Sequence, residues 1–511
     1  MKKLANFLFW TLLFAAAYSQ SPLYTSNQNQ YFLHGLANAG VGLLREDWLA
    51  NIPDTVPVFN FLVEWTTRIF NNNFIFYIYY ALLMGVYLFS FLGIASSLFN
   101  IQKSRAQRLV FLTLFIAVHS AALRYAFTLI RGSTWAYILE DGFAGQRMLG
   151  PVFEPSVFAV FLALAVYLFL KRRPYLAALS ASLAAIVHPT YLLPAGLVVF
   201  GLMIALYLED KRIKRPLLTG LIALAAVSPM LMYAFSNFWG SSPALAAEAQ
   251  KILVEFRIPH HADISQWFGK PEVVKTLIIL AGLWLVRKTR LFPLMLVVSI
   301  GSAFLILLQM VTNSNTLALL FPWRATILLV PLAMTILLAL LVDWLFRPRQ
   351  AFQFSAFFLK ALPWFCAVLI AALAAAGILR SSHDLTVKQE APEQPLYSFV
   401  AENKASGQVY LTPLKMQDFR LATGAPAYVD FKSIPYIDSA VTQWSSRVLM
   451  AGEFYQHPDC PSLLKFLQQA QVSDIILENT QKKLKCTGVT QIYRDQTYTI
   501  YSLDLAVLIP H

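Results

Sequence analysis

Apolar runs recur from the N-terminus to about residue 380, many of them near the roughly 20 residues a helix needs to cross the hydrocarbon core of a bilayer. They lie near 4–19, 74–99, 109–127, 152–170, 175–187, 190–208, 217–235, 274–286, 291–311, 322–346 and 357–379. The rest of the composition closes the other routes. The 511 residues are 58% hydrophobic and 13% charged, against about 25% charged in soluble proteins. Such a chain cannot cover a water-facing surface, which excludes a cytosolic enzyme, a disordered tail and a disulfide-stapled secreted module. The expected fold class is a polytopic α-helical membrane protein of about eleven spans.

The first run also fits a signal peptide, because Lys2-Lys3 precede it and Ala15-Ala16-Ala17 close it; an uncleaved span is the favoured reading. The basic residues then orient the chain. Segments 1–3, 100–108, 171–174, 209–216, 287–290 and 347–356 hold 17 Lys/Arg in 38 residues. The alternate segments 20–73, 128–151, 236–273 and 312–316 hold 7 in 121. Retention of Lys/Arg on the cytoplasmic side produces this alternation. It places the N-terminus inside a bacterial inner (plasma) membrane and the long loops outside, and it accounts for most of the net charge of +13 without a nucleic-acid partner. Two inside segments, Lys171–Arg173 and Lys211–Arg215, require a hairpin between them. Its tip is His188-Pro189-Thr190, held below the outer surface by a short first limb.

Beyond Arg380 the pattern changes. Residues 381–511 carry 11 Lys/Arg and 13 Asp/Glu with no spanning run. Strand-like stretches fall at 408–412, 427–431, 474–477, 489–493 and 498–503, with helical patterns near 439–455 and 461–471. Two domains are expected: a membrane domain over 1–380, with its first outer loop at 20–73, and an extracytoplasmic α/β domain over 381–511. Cys460 and Cys486 both lie in the second and can pair in an oxidising compartment. Cys366 sits in an apolar run, and no Cys/His spacing suits a metal.

Charges within spans are expensive and mark candidate sites. Arg124, Glu154, His188 and Arg324 all fall toward outer ends, whereas Asp343 and Lys360 sit at inner ends where snorkelling explains them. Each alone is also explained as an interfacial side chain; together they suggest a cavity open to the outer leaflet. Phe321-Pro322-Trp323-Arg324 opens a span with Pro in the first helical turn, placing Arg324 where charge and helix dipole both favour a phosphate. In the first outer loop, Tyr31, Phe32, Leu36 and Ala39 pattern as an amphipathic helix lying along the membrane. It is followed by Arg45-Glu46-Asp47-Trp48. That acidic pair suits a general base, a divalent-cation site or a solvated loop, and all three stay open. Glu140-Asp141 with Arg147, and His260-His261 with Asp263, mark two further outer loops. Tyr436, Trp444 and Arg447 suit either a cap over the cavity or packing within the α/β domain.

The layout, together with Tyr31-Phe32-Leu33-His34-Gly35-Leu36, Glu46-Asp47-Trp48-Leu49-Ala50-Asn51, His188-Pro189-Thr190-Tyr191 and Pro322-Trp323-Arg324, resembles a bacterial branch of the GT-C superfamily of membrane glycosyltransferases. The resemblance implies a polyprenyl-phosphate-sugar donor, a glycan or lipid acceptor, and a divalent cation in some members. It implies a base role for Asp47 with Glu46 beside it. It implies lipid-phosphate binding by Arg324, helped by Arg124, His188 and Glu154. One departure stands out: many members carry Asp-Glu followed by Tyr soon after the first span, where this chain reads Asn27-Gln28-Asn29-Gln30-Tyr31, and amides cannot act as bases. Two other functions compete. A lipid-linked sugar transporter or flippase would need charges along a path to both faces, and the inner halves of the spans have none. A non-catalytic receptor or assembly protein would tolerate the amides.

Overall fold

The computed structural model describes residues 2–70, 72–99, 101–347 and 356–508. The chain is mostly helical, with one small sheet near the C-terminus. It divides into two compact units: Met1–Gln20, Phe76–Tyr233 and Ile258–His383 form the first, and Ser21–Ile75, Ala234–Arg257 and Asp384–His511 form the second.

In the first unit a helix stands on each expected apolar run. Among the described residues, six helices are long and apolar enough to cross a bilayer, or seven if a pair bent by 48° is one span; Pro155–Leu170 and Pro174–Val187 are apolar but shorter. The number obtained this way is six or seven, against the eleven expected. The bend has a local cause. Helix Arg105–Val118 stops at His119, and Ser120 caps a new helix, Ala121–Arg131, by accepting the Leu123 N–H at 3.2 Å. That second limb carries Arg124. The helices approach closely through small residues, the packing mode that lipid favours. A Cβ on Gly377 would run into the Ala16 carbonyl, and one on Gly85 into the Thr11 side chain. The hairpin breaks at His188, which is extended (φ −135°, ψ 100°) and buried. The connection at 347–356 lies almost wholly outside the described residues.

In the second unit, strands β1 (Tyr410–Leu411), β2 (Asp474–Glu478), β3 (Val489–Arg494) and β4 (Tyr498–Leu503) form a sheet in the order β1-β2-β4-β3. β1 and β2 are parallel, and the other pairs are antiparallel. Leu396, Val400, Tyr410, Phe419, Ile476 and Ile500 belong to its core. The expected strand at 427–431 does not form. The stretch makes one parallel bridge to β1, Ala427 with Tyr410, and the Tyr428 N–H donates to the Tyr410 carbonyl at 2.8 Å, but side chains take other backbone groups: the Ala427 N–H goes to Asp47, the Ala427 carbonyl to Arg420, the Tyr428 carbonyl to Arg447 and the Asp430 carbonyl to Trp444. Cys460 and Cys486 are joined in a disulfide.

Two earlier stretches complete this unit. The Leu43 N–H bonds the Gly424 carbonyl at 2.7 Å, a contact that requires glycine. Gly42 has φ +54°, and a Cβ there would lie 2.5 Å from the Gly424 oxygen. Ser241 ties the second stretch to Asp438, with its N–H 2.7 Å from Oδ2 and its Oγ 2.9 Å from Oδ1. The helix expected to lie along a membrane is not the exposed one. Leu33–Ala39 buries Leu33, Leu36 and Ala37, while the later helix Pro57–Phe70 leaves Val58, Phe61, Trp65 and Ile69 exposed along one face. The Tyr31–Ala39 periodicity reflects packing inside the unit.

Candidate functional site

A buried charge cluster occupies the first unit, organised by the connection 132–154. Arg124 donates to Glu140 Oε1 at 3.3 Å, to the His119 carbonyl at 2.7 Å and to the Tyr18 carbonyl. Its guanidinium stacks on the Tyr18 ring at 4.2 Å. One residue on, Asp141 meets Lys275 Nζ at 2.8 Å. The same ammonium donates to the Gly142 carbonyl at 2.7 Å and reaches Glu272 at 3.4 Å. Arg147 covers the Tyr137 ring at 3.7 Å and pairs with Asp141 through a backbone bridge.

Burial dominates the two loop carboxyls. It pushes Glu140 up to about 7 although Arg124 and Arg147 pull the other way. It pushes Asp141 up to about 6 against Lys275 and Arg147. Glu140 Oε2 has no protein partner among the described residues. A carboxyl that titrates near neutrality with a free oxygen is fitted to accept a proton.

Arg324 adjoins the same connection. Its Nη2 donates to Gln146 Oε1 at 2.5 Å, while Nε and Nη1 are buried with no protein partner among the described residues. It stacks on Phe321 at 4.7 Å and on Tyr191 at 5.7 Å. Phe321 itself is left-handed (φ +47°), a strained state for a bulky residue, and Pro322 starts the turn that carries Arg324 into helix Thr326–Leu345. Arg324 lies within electrostatic range of His188 and Tyr191. His188 and Tyr191 meet edge to face with ring centroids 5.2 Å apart. Glu154 accepts the Ser156 hydroxyl, and the Ser156 carbonyl accepts the Tyr191 hydroxyl at 2.9 Å. Arg324, His188 and Glu154 are thus gathered in one neighbourhood, and Arg124 joins the set through the connection 132–154.

Asp47 belongs to the second unit, where it is fully buried. Oδ1 accepts the Leu49 N–H at 2.9 Å; Oδ2 accepts Arg420 Nε at 2.6 Å and the Ala427 N–H at 2.9 Å. Arg420 also pairs with Asp430, giving a buried carboxylate–guanidinium–carboxylate triad. Glu46 points to solvent and accepts Ser406 Oγ at 2.7 Å and the Gly407 N–H at 2.8 Å. The Gly407 N–H holds its carboxyl below the usual range. Arg447 is sandwiched between Trp48 at 4.1 Å and Tyr428 at 4.8 Å. Trp444 is buried and Tyr436 half-buried in the same unit.

Among the described residues, no group of three or more His, Cys, Asp or Glu side chains is placed to hold a metal ion. Asp47 is matched to Arg420, Glu140 to Arg124 and Asp141 to Lys275. His261 Nδ1 donates to the Ala144 carbonyl at 2.9 Å.

Sequence reasoning passed over Lys275, Tyr137 and Gln146. Lys275 had a signal, a lone cation entering an apolar run. Arg420 had none, because its partner Asp47 is 373 residues away in sequence.

Comparison with known proteins adds three findings. A family model for a domain of unknown function, DUF6798, matches residues 391–451, within the second unit. No curated protein matches the chain. Among solved structures, ArnT from Cupriavidus metallidurans bound to undecaprenyl phosphate is similar at 12% identity and a TM-score of 0.48, over 98% of this chain and 97% of that one. At that level the likeness carries no residue assignment.

Proposed function

We propose that this chain is a membrane glycosyltransferase of the GT-C type, moving a sugar from a polyprenyl-phosphate donor to an acceptor hydroxyl at the outer face of a bacterial plasma membrane. The observation that carries the reading is Arg324, whose buried Nε and Nη1 have no protein partner among the described residues while Nη2 is anchored to Gln146. Each of these nitrogens can donate to a phosphate oxygen, and burial strengthens the pairing.

In this reading the acceptor oxygen attacks the anomeric carbon and its proton passes to Glu140 Oε2. The bond from the anomeric carbon to the phosphate oxygen breaks, and the electron pair leaves on the lipid phosphate held by Arg324. The products are the glycosylated acceptor and polyprenyl phosphate. Arg124 positions Glu140, and Lys275 holds Asp141 so that the connection keeps its path. Asp47 is the second assignment for the base, inherited from the resemblance.

The test follows a radiolabelled polyprenyl-phosphate-linked sugar incubated with the reconstituted protein and isolated cell envelope as the acceptor pool. Arg324→Ala and Glu140→Gln are expected to lower transfer at least 100-fold, the range of a lost acid–base or electrostatic group. Normal transfer by both folded variants sinks the reading. A loss confined to Asp47→Asn, with its stability intact, moves the base to Asp47.

A further inference from the structure

In the second unit, the segment 430–436 gathers polar side chains from two distant stretches. Ser433 Oγ donates to the Asn29 carbonyl at 3.5 Å, and Gln30 Nε2 donates to the Tyr436 hydroxyl oxygen at 2.7 Å. From the other side Arg257 Nη2 donates to the Lys432 carbonyl at 2.6 Å, with its guanidinium 5.2 Å from the Phe431 ring centre. Arg257 is within electrostatic range of Tyr436, Tyr31 and Asp430.

The groups gathered there are incompletely matched. Asn29 is 1% exposed and Arg257 7% exposed. Neither amide atom of the Asn29 side chain has a protein partner among the described residues, nor does Arg257 Nε. Arg257 has no ion pair among them either: the nearby Asp430 is spent on Arg420 and on the backbone N–H groups of Lys432 and Ser433. A buried cation without a counter-charge is costly, and so is a buried amide without a partner. The sequence explains how this arises. The stretch Asn27-Gln28-Asn29-Gln30 carries amides only, and an acid at 29 or 30 would have supplied the missing charge. The Tyr436 hydroxyl is engaged by both Gln30 and Tyr31, which leaves Asn29 and Arg257 as the incompletely matched groups.

We propose that Arg257, Asn29 and Tyr436 form a binding site for an oxyanion, a phosphate or carboxylate group carried by a ligand of the second unit. Arg257 supplies the charge and Nε–H and Asn29 its Nδ2–H groups, while Tyr436, held by Gln30 and Tyr31, lines the site. A buried positive charge with N–H donors beside it suits an anion. The site does not depend on the transferase reading, since Arg324 and Glu140 belong to the other unit.

The experiment uses the full chain in nanodiscs carrying Arg324→Ala, so that anion binding in the first unit does not contribute. Thermal unfolding is followed with increasing inorganic phosphate, with glucuronate, and with chloride at matched ionic strength. The expected result is a saturable rise in midpoint with phosphate or glucuronate but not chloride. A response to phosphate alone assigns a phosphate group; a response to both assigns a site that also takes carboxylates. Arg257→Met should abolish the response. Asn29→Asp keeps the test decisive if that variant folds poorly. It installs an internal carboxylate, so it should raise the midpoint without added anion and remove the response. The proposal is overturned if the Arg324→Ala protein shows no anion-specific rise, or if the rise survives in Asn29→Asp.

Discussion

Replacing Arg420 by Met asks whether the triad in the second unit is a structural strut. Arg420 is buried and makes three contacts there: Nε to Asp47 at 2.6 Å, Nη1 to Asp430, and Nη2 to the Ala427 carbonyl at 2.9 Å. Methionine fills similar volume but leaves two buried carboxylates facing an apolar chain. Breaking a buried ion pair from one side costs about 3–5 kcal/mol. In a domain of roughly 150–250 residues each kcal/mol moves the midpoint by about 2–4 °C, so a drop on the order of 10 °C is expected. Differential scanning fluorimetry of the full chain reads it. Hydrogen exchange at the Ala427 amide, which donates to Asp47, localises it. The triple variant Arg420→Met, Asp47→Asn, Asp430→Asn removes the uncompensated charges and should recover most of the loss. A single Arg420→Met variant that melts within about 2 °C of the parent, less than 1 kcal/mol of effect, would refute the reasoning.

Sugar transfer should rise with pH and level off above an apparent pKa near the value of about 7 to which burial pushes Glu140; Glu140→Gln should flatten that profile. Stability should move the opposite way. A carboxyl raised in the folded state binds more protons folded than unfolded, so its contribution is full below about pH 4.5 and is lost as pH rises to about 7. Unfolding midpoints measured from pH 5 to 8 should therefore fall. Lys275→Met leaves Asp141 buried without its cation and should destabilise the first unit by about 3 kcal/mol, read as faster proteolysis in the connection 132–154. Cys460→Ser with Cys486→Ser opens the loop closed across 26 residues and should cost the second unit about 3 kcal/mol, with dithiothreitol producing the same shift in the parent.

Length and apolarity made the helices of the first unit legible, because lipid leaves a long apolar run few other structures. Fewer helices are long enough by themselves to cross, since Pro155–Leu170 and Pro174–Val187 are apolar yet short. Arg124 and Arg324 stood out because each is a charge within an apolar stretch. What they pair with did not, because ion pairing is decided by tertiary approach and leaves no periodicity. The stretch 427–431 shows the limit for strands. Its β-branched and aromatic residues suit a ladder, yet pairing stops at one bridge to Tyr410, and Asp47, Arg420, Arg447 and Trp444 take several of its other backbone groups. The stretch 31–39 shows the limit for amphipathicity: one apolar face says that something covers a helix without saying whether it is lipid or protein. In Leu33–Ala39 it is protein, and the exposed stripe lies on Pro57–Phe70.

The central claim is that Arg324 receives the phosphate of a lipid-linked donor. A structure of the full chain in nanodiscs with added polyprenyl phosphate tests it most directly. The account predicts a phosphate oxygen within hydrogen-bond distance of Arg324 Nε or Nη1, with Gln146 still on Nη2. A lipid phosphate bound away from Arg324, with those two nitrogens unengaged, would contradict it.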